Sequence, residues 1–280
     1  MKTIRIAAKA DGTCQMLPLA LPTIRRSGSA DAEGYRKQAR GEAPRASFDP
    51  NPADVLRAIT LSKGLFTDFA AQGGALLTFV VAGAPTLAIG EERSSLEPGD
   101  IFLSDARSAS RITLDIPDEA RLIQIGVGPE WPGPDAQLPD GATIVTRQSS
   151  EPKLKRIYKG DDDKAYYGEF VELFAGPPGQ WSAPRPITGF RILRWEDGEM
   201  DWHPCVTNQL AIVSSGELEF EVGGGGASEI FHAGDVCIAE DRTGEGHYNR
   251  ARGVAYVTII VIGTEHLWTC DGRLLQATQT

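Results

Sequence analysis

The feature that most constrains this chain is that it repeats itself. Residues 99–128, GDIFLSDARSASRITLDIPDEARLIQIGVG, align without a gap over 234–263, GDVCIAEDRTGEGHYNRARGVAYVTIIVIG, an offset of 135. Both copies open on Gly-Asp with a β-rich run and close on an apolar strand ending in Gly. Upstream, VVAGAPTLAIG (80–90) lies over VSSGELEFEVG (213–223) at an offset of 133, the two extra residues falling near the glycines at 223–226, and RIAAKADG (5–12) is matched by RIYKGDDD (156–163). A period this long, with Pro or Gly about every ten positions between short β-branched or alternating runs, predicts one succession of strands built twice as an all-β sandwich or barrel. In GELEFEVG (216–223), Leu218, Phe220 and Val222 alternate with three glutamates, the pattern of a strand with one buried and one wet face.

The repeat divides the chain into 1–141 and 142–280, with the turn-rich WPGPDAQLPDG (131–141) between the halves. Residues 25–52, rich in Gly, Ser, Arg and Pro, have no counterpart in the second half and read as a surface loop, with a lid as the alternative. After them NPADVLRAI (51–59) has an N-cap asparagine and a first-turn proline, and predicts a short helix. GDDDK (160–164) and GGGG (223–226) read as hairpin turns.

With 280 residues and 41% apolar content the chain has enough material for a packed core, and 38 acidic against 28 basic residues disfavour phosphate backbones and anionic lipid. Four cysteines without CxxC spacing read as reduced thiols. The alternating N-terminus lacks the apolar stretch of a signal peptide, and no apolar run is long enough to span a bilayer, so the expectation is a cytoplasmic protein with small-molecule or protein partners, with no nucleic acid and no membrane.

Two stretches carry chemistry. GEMDWHPCVTNQLAIVSSG (198–216) and GDVCIAEDRTGEGHYN (234–249) resemble the two signatures of the cupin superfamily, and the duplication resembles a bicupin. KRIYKGDDDK (155–164) and AEDRTGEGH (239–247) are similar to those of a largely uncharacterised cupin group. The resemblance implies two cupin-type β-barrels (double-stranded β-helix, jelly-roll) in tandem with few short helices. It also implies that the second-signature turn brings His247 beside the first signature. Reaction type does not follow from it, because the fold hosts oxygenases, isomerases, lyases and simple binders.

His203, Cys205 and Gln209 are all odd-numbered, so on a regular strand they share one face. In the superfamily the corresponding set is His, His, Glu and His. Here Cys205 supplies a softer donor and Gln209 removes a negative charge, leaving His203, His247 and Cys205 as candidate ligands of a divalent Fe, Zn or Mn. Alternatively Cys205 is a small buried hydrophobe, Gln209 hydrogen-bonds the wall or a ligand, and His203 and His247 bind an anion or act as acid and base. His203, His247 and Gln209 are thus the candidate catalytic residues. Trp195, Trp202, Phe190, Tyr248 and Asn249 are the candidate ligand-binding residues, and Glu240 or Asp241 orders the turn or orients His247. His232 and His266 read as surface residues. Shifted back by the repeat, the four site positions fall on Ala70, Gln72, Leu76 and Ile112, so the first barrel is expected to be metal-free. The functional expectation is a metal-dependent enzyme acting on a small organic metabolite. A metal-free binder and a structural, homodimerising bicupin are the alternatives.

Overall fold

The computed structural model describes residues 1–27, 32–42, 51–67, 69, 74–105, 112–128, 130–142, 151–223, 226–262, 266–268 and 274–276. It contains two large mixed β-sheets and a small pair of strands, His266–Trp268 with Leu274–Gln276. Along the first sheet the strands run Cys14–Pro18, Thr3–Ala8, Ile101–Ser104, Ala75–Ala82, Thr113–Val127, Ala53–Phe66, Arg185–Pro186. Along the second they run Ala165–Glu169, Leu154–Lys159, Val236–Ala239, Asn208–Val222, His247–Ile262, Gly189–His203, Thr23–Ser27. The two orders correspond strand for strand, so the repeat in the sequence is a repeat in space. The chain is all-β with two tandem barrel-like sheets.

The last strand of each sheet is contributed by the other half. Thr23–Ser27 pairs in parallel with Gly189–His203, from Thr23 against Ile192 to Ser27 against Glu196, and Arg185–Pro186 pairs with Ala53–Phe66.

Shared details explain why the repeat persists at particular residues. Asp100 accepts backbone N–H bonds from Lys2 and Glu97, and Asp235, its counterpart, accepts them from Lys153 and His232. Each Gly-Asp thereby ties the start of a parallel strand pair to a turn. Gly83 and Gly216 both have positive φ, and a Cβ on either would strike the opposing backbone, at the carbonyls of Glu119 and Val254 respectively.

Three apolar clusters follow from strand alternation. Leu87, Phe102, Leu114 and Leu122 belong to the cluster inside the first barrel, and Ala211, Val213, Ala255 and Val257 to the one inside the second. Leu210, Ile212, Tyr256 and Ile260 point the opposite way and join Leu77, Phe79, Ile123 and Ile125 in a third cluster shared between the sheets. Both faces of the central strands are therefore buried, which is why Leu210–Val213 reads as a continuous apolar run.

Two segments differ from what the sequence predicts. Residues 51–59 are not helical, since Ala53–Phe66 is a strand and Asn51 exchanges backbone bonds with Phe190 (2.7 and 3.1 Å) instead of capping a helix. Pairing with the long strand Thr113–Val127 outweighs the local capping signal. Residues 25–52 are not simply a surface loop, because their start completes the edge strand Thr23–Ser27 and Ala32–Ala39 is a helix packed on Gly189–His203. Residues 28–31 and 43–50 lie outside the described residues. Gly160 N–H donates to Lys164 O (2.8 Å), closing the hairpin at 160–164, and Val222 pairs with Ala227 across the glycine turn. Among the described residues no helix is long and apolar enough to cross a membrane.

Candidate metal centre in the second barrel

The site lies where two strands meet at one end of the second barrel. His203 is the last residue of Gly189–His203 and His247 the first of His247–Ile262, and the two are paired in register. Pro204, which has no N–H to continue the ladder, ends the first strand. Cys205 follows in the turn, its N–H donating to Asp241 O (3.1 Å), and Gln209 lies near the start of the next strand. His203, Cys205 and Gln209 thus reach one cavity from two strands and a turn, not from one regular strand as expected. Gly246, at φ +78°, makes the close approach possible, because a Cβ there would overlap the His203 carbonyl.

Both imidazoles are buried, with ring centroids 4.7 Å apart and planes inclined by 53°. His203 Nδ1–H donates to Asp201 O (2.7 Å), and His247 Nδ1 bonds the buried carboxylate of Asp241 (2.7 Å). In each ring Nε2 is therefore the nitrogen that carries the lone pair, the arrangement by which an outer carbonyl or carboxylate orients a ligating histidine. Burial and the neighbouring His247 push the His203 pKa down to about 3, so His203 is neutral and able to donate that lone pair. Burial pushes the Cys205 thiol well up, with Asp241 adding to the effect and Arg191 opposing it. Donor atoms of Cys205, Asp241 and His247 lie within 4.8 Å of one another, and Asp241 Oδ1 is buried with no hydrogen bond among the described residues.

These observations fit a divalent ion. Two imidazoles bound through Nε2 at about 2.0–2.1 Å would place their ring centroids roughly 4.5–5 Å apart. The tight triple includes Asp241 where the sequence suggested His203. Because Asp241 Oδ2 already holds His247, we read Asp241 as the group that orients the ligand, and His203, His247 and Cys205 as the candidate donors.

The cavity beside them has a volume of about 50 Å³, room for roughly three or four water-sized groups. Its walls include Leu193, Met200, Leu218, Phe220, Val257 and Ile259. Trp195 and Asn249 are also on the wall, as the sequence suggested. The other expected ligand contacts lie elsewhere. Phe190 is in the core shared between the sheets, 5.5 Å from the Trp131 ring, since residue 190 is on the opposite strand face from 191, 193 and 195. Trp202 and Tyr248, one residue from the histidines, likewise lie off the cavity wall, their rings tilted by 43° with centroids 6.4 Å apart, and Tyr248 O–H donates to Glu199. His232 is half-buried, its Nε2 3.2 Å from Glu217, so it is not simply a surface residue. The His266 side chain, Ala70 and Gln72 lie outside what is described, while Leu76 and Ile112 are buried and apolar.

Two cavity residues were missed. Arg191, only 5% exposed, donates to Gln209 Oε1 (3.3 Å), and Arg26 reaches the cavity from the first half's segment Thr23–Ser27. Arg191 was detectable: in FRILRW (190–195) an arginine shares its strand face with Leu193 and Trp195, an unusual place for a charge. No local pattern could have placed Arg26.

No family model matches the chain, and no curated protein matches it. Among solved structures it is similar to a Cupin 2 conserved barrel domain protein from Leptotrichia buccalis, with 14% identity, a TM-score of 0.39, and 76% of this chain and 85% of that one covered. It is similar to a protein of unknown function from Pseudomonas syringae pv. tomato (14%, TM-score 0.36, 93% and 100% covered). It is also similar to Bacillus subtilis oxalate decarboxylase, described with Mn(II) centres (14%, TM-score 0.27, 76% and 70% covered). The chain's own strand order, its doubled sheets and the meeting of its two signatures at one cavity give an all-β fold of two tandem barrel-like sheets, the architecture that the resemblance to bicupins implies.

Proposed function

We propose that the second barrel holds a divalent metal on His203, His247 and Cys205 and transforms a small organic molecule there. The observation that carries this reading is the matched pair of buried imidazoles, each with Nδ1 engaged and the rings 4.7 Å apart. When bound, such a metal polarises an oxygen of the substrate or lowers the pKa of a water. The chain's own residues do the rest. Asp201 O and Asp241 fix the two rings, the apolar wall excludes water, and Gln209 is held by Arg191 toward the cavity.

Elemental analysis of protein made without a histidine tag, after supplementing Fe, Mn or Zn, tests the proposal. About one metal per chain is expected, with loss in His203→Ala and His247→Ala. Asp241→Asn should weaken metal binding by roughly 10–100-fold without removing a donor. With Co(II) in the site, thiolate-to-cobalt absorption present in the wild type and absent in Cys205→Ser would place the thiol on the ion. A metal content near zero under all three supplements would overturn the reading in favour of a metal-free binding pocket.

A further inference from the structure

The cavity is apolar in its walls and cationic in its polar groups. Arg191, Leu193 and Trp195 come from one face of Gly189–His203, and Arg26 comes from the parallel neighbour Thr23–Ser27, where its register partner is Trp195. The Arg26 guanidinium carbon is 5.8 Å from the Trp195 ring centroid. Arg191 touches a neutral acceptor, Gln209 Oε1. Trp195, 3% exposed, has its Nε1–H buried without a hydrogen-bond partner among the described residues. The nearby carboxylate of Asp241 is engaged with His247 (2.7 Å).

We propose that the ligand of this cavity is a small carboxylate whose oxygens are held by Arg191 and Arg26 with the Trp195 indole N–H as a further donor. This deepens the reading of the cavity as the working site, on which it rests, and names its substrate class. The planar fork of a guanidinium matches the two oxygens of a carboxylate, whereas the apolar remainder of the wall suits a short carbon chain. A volume of about 50 Å³ accommodates a molecule of that kind. Arg26 makes the first half of the chain a contributor to the second half's site, so ligand recognition depends on a strand that crosses between the barrels.

Acetate, with acetamide as its uncharged counterpart, is the probe. Titration into ¹⁵N-labelled full-length protein is read at the Trp195 indole cross-peak, assigned with Trp195→Phe, and metal content is measured on the same samples. Acetate is expected to shift that peak saturably, acetamide to bind at least about tenfold more weakly, and Arg26→Gln to weaken acetate by about tenfold or more while keeping its metal. Arg26 is only half-buried on an edge strand, so the variant's dispersed spectrum should show it to be folded. Equal binding of acetate and acetamide, or unchanged acetate affinity in folded Arg26→Gln, overturns the proposal. Protein that carries metal but ignores acetate sinks the carboxylate proposal alone. Protein that binds acetate with this preference but never takes up metal supports the carboxylate proposal and sinks the metal reading.

Discussion

An imidazole that stays neutral until about pH 3 ties folding to acidity. The unfolded chain protonates His203 near pH 6.5, whereas the folded chain resists protonation down to about pH 3. Between those values the unfolded state binds more protons, so stability rises with pH and is lost as pH falls below about 6.5, by roughly 3–5 kcal/mol in total. Urea midpoints of chelator-treated protein should therefore fall steadily between pH 7 and 4, and His203→Asn should flatten that slope. An unchanged slope in the variant would mean that the acid sensitivity arises elsewhere. His203, Cys205, Gln209 and His247 were visible from their spacing, because two short signatures bring them together through local turns. Arg26 was not, since its neighbours at the cavity lie more than a hundred residues away and no local pattern encodes them.

At the scale of elements, Gly189–His203 sorts its side chains by parity. Arg191, Leu193 and Trp195 face the cavity, and Phe190 and Ile192 face the core between the sheets. Parity in the sequence was enough to predict strands, but not which face met which neighbour, so Phe190 was misplaced. The helix Ala32–Ala39 sits over this strand's end. Arg36 bonds Glu33 (2.9 Å) and donates to Trp202 O, while Ala32 is buried in the second barrel's core. Ion pairs this exposed are worth about 0–1 kcal/mol, so Arg36→Ala should leave global stability nearly unchanged. Its effect should instead appear as faster hydrogen exchange across the helix Ala32–Ala39, measured by mass spectrometry, since the lost contact ties that helix to Trp202. The predicted helix at 51–59 failed for the opposite reason: a good cap was present, but a fourteen-residue strand with a long partner was available.

For the whole molecule, the shared cluster joins Leu77, Phe79 and Ile123 of the first half to Leu210, Ile212 and Ile260 of the second. The doubling was legible because the repeat preserves the succession of strands and even the Gly-Asp ties. The exchange of edge strands was not legible, because pairing over such a separation leaves no local signature. Calorimetry of the intact chain should show one cooperative transition, and residues 142–280 expressed alone should give a poorly dispersed NMR spectrum, lacking Thr23–Ser27 and exposing the shared face. Two separate transitions, or a well-folded fragment, would contradict that coupling. The exchanged strand also has a consequence during synthesis. Thr23–Ser27 leaves the ribosome early, while its partner Gly189–His203 is made roughly ten to thirty seconds later at ordinary elongation rates. Through that interval the nascent chain carries an unmatched β-edge, a window in which a chaperone, or another nascent copy, can reach it first.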